Sequence, residues 1–196
     1  MNPNELPLKE IIFDPNANDG FGMFAISEVL NPAIKEHFVL LNEEYKAEFA
    51  IQSKEKRTVF GPILIPGMKI YRKVGNDEFN LTIQAPTIEA IVVDFFAKQR
   101  ANNVVQKHEN QLVKGFTFYQ SVITNELIPS IKKWDHLPMG TAFLGAYVTD
   151  DEKLKEIEDG TFKGWSIHAA FNQVPVNLEN HCDSKIVEDV LRGLFN

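Results

Sequence analysis

Hydrophobic and polar positions alternate at two periods along this chain, and the switch between them marks its elements. Lys69-Ile70-Tyr71-Arg72-Lys73 and Glu78-Phe79-Asn80-Leu81-Thr82-Ile83 alternate at period two around Val74-Gly75-Asn76-Asp77, which predicts a hairpin. Glu10-Ile11-Ile12-Phe13-Asp14 reads as a strand closed by the turn cluster Pro15-Asn16-Ala17-Asn18-Asp19-Gly20. Met23 to Val29, Glu36 to Leu41, 116–123 and 141–148 are further strand candidates. Thr58 to Gly67 holds two apolar runs punctuated by Gly61-Pro62 and Pro66-Gly67. A central, fully paired strand tolerates proline poorly, so this segment is expected at strand ends or on an edge.

The period then changes to that of a helix. Ile88, Ile91, Val92, Phe95 and Phe96 fall on one face, opened by Pro86-Thr87 and closed by Asn102-Asn103, with Glu89, Asp94 and Lys98 expected in water. A second short helix is predicted from Asp151 to Ile157, ending at Gly160, with Asp150-Asp151-Glu152 complementing its N-terminal dipole. A third, from Ser184 to Leu194, carries Ile186, Val187, Val190 and Leu194 on one side. The Phe116-Thr117-Phe118-Tyr119 stripe reads as core and Trp134-Asp135-His136 as a solvated loop. Together these predict a strand-rich α+β domain over 1–196: a mostly antiparallel sheet or barrel with flanking helices. Residues 1–22 would be an N-terminal extension and 172–196 a C-terminal loop and helix.

Composition narrows the classes. The chain has 196 residues, 44% hydrophobic, with 15 Phe to fill a core. A net charge of −7 with no basic stripe argues against direct nucleic-acid binding. No apolar run approaches the roughly 20 residues of a membrane span, and Met1-Asn2-Pro3-Asn4-Glu5 lacks signal-peptide character. Cys182 is the single cysteine, so no internal disulfide forms and a reducing, cytoplasmic site of synthesis fits. Cys182 next to His181 is read as part of a polar loop, not a metal site, and no metal or cofactor is expected.

The candidate chemistry centres on Lys163-Gly164-Trp165-Ser166-Ile167-His168-Ala169-Ala170-Phe171. In an extended strand Trp165 and Ile167 share one face, and Ser166 and His168 the other. Taken alone, the run reads first as a buried strand with a hydrogen-bonded serine. Of the other histidines (His37, His108, His136 and His181), His108 stands out. It lies just past the short strand Val104-Val105, where a rigid scaffold commonly holds active-site side chains. No HExxH, CxxC, GxSxG or P-loop pattern occurs.

Four ordered blocks carry a resemblance. They are Gly61-Pro62-Ile63-Leu64-Ile65-Pro66 with Ile70-Tyr71-Arg72; Asn102-Asn103-Val104-Val105-Gln106-Lys107-His108-Glu109; Leu137-Pro138-Met139-Gly140-Thr141-Ala142-Phe143; and Asp159-Gly160-Thr161-Phe162-Lys163-Gly164-Trp165-Ser166-Ile167. Upstream, Phe24-Ala25-Ile26-Ser27 and Asn31-Pro32-Ala33-Ile34 extend it. The chain resembles a tailed-phage prohead maturation protease of the XkdF-like branch. That resemblance implies an assemblin-like barrel wrapped by helices, with Ser166 as nucleophile and His108 as general base. A serine hydroxyl needs such a base, and a neutral imidazole can take its proton and return it to the leaving amine.

Two positions depart from the family pattern. Gln120 stands where a glutamate is usual, and His168 replaces another. An amide orients an imidazole but does not stabilise the imidazolium, a change that costs about 10⁴ in rate in the unrelated serine-protease template. Assemblin-type enzymes use a second histidine as third member, so His168 is the candidate to compensate. The expected function is therefore a serine endopeptidase processing scaffold and capsid proteins in the host cytoplasm, inside the prohead. Retention in the virion and homo-oligomerisation are compatible with it. The alternatives are a degenerate protease-fold component of the phage head, and a soluble binding module unrelated to phages.

Overall fold

The computed structural model describes residues 6–15, 21–29, 50–53, 57–106 and 114–176. His37, His108, His181, Cys182, the strand proposed at 36–41 and the helix proposed at 184–194 lie outside them. Among the described residues, eleven strands make three sheets. In the first, β1 (Leu8–Ile12) runs parallel to β6 (Asp77–Thr82) and antiparallel to β11 (Asn172–Pro175), while β5 (Ile70–Val74) pairs with β6 as the expected hairpin. In the second, β2 (Gly22–Val29) lies between antiparallel β10 (Gly164–Ala170) and parallel β7 (Val104–Gln106). The third has the order β3 (Ala50–Ser53), β4 (Thr58–Leu64), β9 (Ala142–Val148), β8 (Phe116–Ile123), all antiparallel. Two helices, α1 (Ala85–Ala97) and α2 (Asp151–Glu158), accompany them.

The strand-rich α+β class and the mostly antiparallel pairing agree with expectation. The barrel does not: among the described residues the ladders stop at three separate sheets and no closed barrel forms. The ends also differ from expectation. The strand read at Glu10–Asp14 is present as β1, but it is part of a sheet rather than an extension, and β11 begins where a C-terminal loop was expected. Each supplies the other with a ladder partner, so both ends are integral to the first sheet.

The core explains why β4 and β9 read as unbroken apolar runs. Strands buried on both faces lose the alternation of half-exposed ones. On one face Val59, Ile63, Leu144 and Ala146 join the main core with Ile88, Ile91 and Phe95 of α1. On the other, Phe60, Phe143, Trp134, Ile65 and Leu137 form a second cluster. Phe60 stacks on Phe143 with centroids 5.5 Å apart, and Trp134 packs on both. Trp134 is therefore core, not solvated loop; a short 3₁₀ turn (Lys132–Trp134) delivers it. Pro62 lies within β4, an inner strand of the third sheet, beside the register shift against β9 between Pro62 and Leu64.

Local chemistry sets the helix boundaries. α1 carries a proline in its first turn, where the missing N–H costs nothing. The Asp150 side chain caps α2, accepting from the Glu152 and Lys153 amides. Gly140 opens β9 at φ +91, and an added Cβ would stand 2.4 Å from Ala85 Cβ, so only glycine lets β9 approach α1.

Candidate active site

Ser166 and His168 project from the same face of β10, as the alternation requires. Trp165, Ile167 and Ala169 take the other face and pack into the main core. Trp165 anchors the strand there, 1% exposed, with Phe116 at 5.5 Å and Phe118 at 4.9 Å between ring centroids. Ser166 is held at 9% exposure, and directly opposite it on β2 stands Ser27, fully buried. Such a pair places two hydroxyl-bearing Cβ atoms about 5 Å apart. Ala25 stands opposite His168. The outer face of this sheet is thus built of small and polar side chains. Sequence reasoning did not single out Ser27; its signal was a polar residue breaking the apolar run Met23-Phe24-Ala25-Ile26.

The register of β10 against β2 shifts between His168 and Ala169, because β2 carries one extra residue, Phe24. Three contacts from the turn that follows α1 hold this bulge. Asn103 Nδ2 donates to the Phe24 carbonyl at 3.1 Å, Arg100 Nη1 donates to the Met23 carbonyl at 3.2 Å, and the Ile26 amide donates to the Asn103 carbonyl. Arg100 also lies over the Phe24 ring. Asp94, expected in water, is 6% exposed. Its carboxylate meets Lys98 at 2.9 Å and Arg100 at 3.7 Å. Burial is tolerable because both cations arrive one turn later from the same chain segment. The Asn102-Asn103 pair predicted to close the helix therefore does more: Asn103 fixes the strand that faces Ser166 and His168.

β7 lies on the other side of β2, with Val105 level with Ser27 and hence with Ser166. The chain leaves β7 at Gln106, two residues before His108. Ser166 and the strand leading to His108 thus flank one central strand, two ladder spacings or roughly 10 Å apart.

Gln120 comes from the third sheet. The β8–β9 register shifts between Phe118 and Gln120, with Tyr119 looped out at 57% exposure, so Tyr119 is not core as expected. This second bulge changes which face residue 120 takes. Phe118 points into the main core, whereas Gln120 turns away from it and lies over Gly145. A Cβ on residue 145 would stand 2.8 Å from Gln120 Oε1. Ser166 and Gln120 both face away from the core that Trp165, Phe116 and Phe118 fill.

Among the described residues, no group of three or more His, Cys, Asp or Glu side chains could hold a metal ion. No helix among them is long and apolar enough to cross a membrane. No family model, curated protein or solved structure matches this chain.

Proposed function

We propose that this chain is a serine endopeptidase of the phage prohead-protease kind, with Ser166 as nucleophile and His108 as general base, acting on scaffold and capsid proteins. The observation that carries the reading is the shared sheet. Ser166 on β10 and the strand that runs into His108 flank the same β2. A neighbouring base of this kind is what a serine needs to attack an amide carbonyl near neutral pH. His168, on the face of Ser166, and Gln120, turned outward by its bulge, are the candidates to orient the imidazole. Production in the host cytoplasm and action inside the prohead follow from the same reading.

The test is active-site phosphonylation of the intact protein. A fluorophosphonate is expected to add to the Ser166 oxygen with loss of fluoride, and Ser166→Ala and His108→Ala are expected to abolish the adduct. Ser166→Ala is expected to change stability by less than about 1 kcal/mol. Gln120→Glu is expected to speed labelling, because a carboxylate stabilises the imidazolium and an amide does not. Folded protein that is never labelled at Ser166 overturns the assignment. The presence of an amide at Gln120 favours a second reading, a protease-fold component of the head without turnover. Labelling that appears only in Gln120→Glu selects it.

A further inference from the structure

We propose that the protein has a second binding site, for a medium-length aliphatic chain ending in a carboxylate, between the first sheet and the core face of β10. A cavity of about 360 Å³ lies there. Its walls include Ile63, Leu81, Ile167 and Phe171. Ser166 borders it, but the side chains projecting into it come from the Ile167 face of β10, the face opposite the serine. The site is therefore distinct from the proposed nucleophile and does not rest on the protease reading.

Arg72 gives the ligand its polarity. On β5, Ile70, Arg72 and Val74 form one row, and all three line the cavity. Val74, 65% exposed, marks the mouth, and Arg72 is exposed beside it. An arginine on an otherwise apolar inner row is the informative departure from pattern. On the opposite face of the same hairpin the charges satisfy each other, with Lys73 Nζ 2.7 Å from Glu78 Oε1. Arg72 instead faces Phe79 across the ladder, and among the described residues no carboxylate pairs with it. Its Nη1 donates to the Tyr71 carbonyl, which leaves most of its five N–H donors for a bidentate anion. Gln173 adds an amide to the lining. Gln173 lies on β11, at the opposite edge of the sheet from Arg72, so Arg72 alone sets the charged end of an otherwise apolar pocket. At roughly 30 Å³ per heavy atom, taking water's share of liquid volume as the unit, at least a dozen atoms fit. That is the size of decanoate.

Isothermal titration of the full chain with decanoate, hexanoate and decanol tests this. Decanoate is expected to bind saturably at one site, at least about tenfold tighter than decanol, which has the chain without the charge. Hexanoate is expected to bind more weakly because it leaves apolar wall uncovered. Arg72→Gln is expected to weaken decanoate at least about tenfold and to leave decanol unchanged. No saturable decanoate binding, or equal binding of acid and alcohol to the unmodified protein, overturns the proposal even if Arg72→Gln fails to fold.

Discussion

The outer faces of the second and third sheets obey the same alternation and are used in opposite ways. On β4 and β9 that face carries Phe60 and Phe143, covered by Trp134 and Leu137. On β10 and β2 it carries Ser166, His168, Ser27 and Ala25. One sheet uses its second face for aromatic packing, the other for small and polar groups. Large apolar area stabilises in proportion to burial. Buried hydroxyls contribute only when their hydrogen bonds are made, so this face depends on polar pairing where the other depends on buried area. Both sheets are re-aimed by a bulge next to the residues of interest, at Phe24 and at Tyr119.

The aromatic face breaks most easily. Phe143→Ala empties the centre of the second cluster and is expected to cost about 3–5 kcal/mol by denaturant unfolding. The rate of Ser166 phosphonylation is expected to persist while the protein stays folded; parallel loss would mean that the two faces are not independent. Gly145→Ala is expected to cost about 1–3 kcal/mol, since the new methyl meets Gln120 and Phe60 Cδ2 (3.1 Å). Gln120→Ala in the same chain should recover part of that loss, and strict additivity would place Gln120 away from Gly145.

Asn103→Ala probes the polar sheet. Loss of its bond to the Phe24 carbonyl is expected to cost on the order of 1–2 kcal/mol. It should slow phosphonylation of Ser166 more than Phe143→Ala does, despite the smaller stability change. Equal slowing would remove the positioning role. The smallest effect belongs to neither face. Glu78 is held below the ordinary carboxylate range, chiefly by its hydrogen bond from Lys73. A depressed folded-state value stabilises above the unfolded pKa and is lost as pH falls through the folded one. Glu78→Gln should therefore leave the neutral-pH midpoint nearly unchanged and flatten the acid limb slightly, as expected of an exposed pair. An unchanged acid limb would show that the pair contributes nothing.

The α1 helix, the β5–β6 hairpin, β7 just before His108 and the alternation on β10 were legible because each depends on neighbours within a few residues. Asp94 was misplaced because its burial comes from Arg100 in the turn after the helix and from the close approach of β2 at Gly22, beyond its i,i+4 partner Lys98. Trp134 was misplaced because its burial depends on Phe60, far upstream in the chain, as well as on the nearby Phe143. The bulges at Phe24 and Tyr119 carry no local signature, since a bulge exists only relative to the strand opposite.

By itself, then, the sequence determined which residues alternate, where α1, α2 and the β5–β6 hairpin lie, and that Ser166 shares a face with His168. Those properties follow from backbone geometry at short range. Only the tertiary structure decided that β7 and β10 flank β2, that Asn103 grips its bulge, and that Arg72 overlooks an apolar cavity. Each of these requires segments tens of residues apart to meet, and pairing between distant strands is set by the burial of the whole core rather than by any one stretch of it.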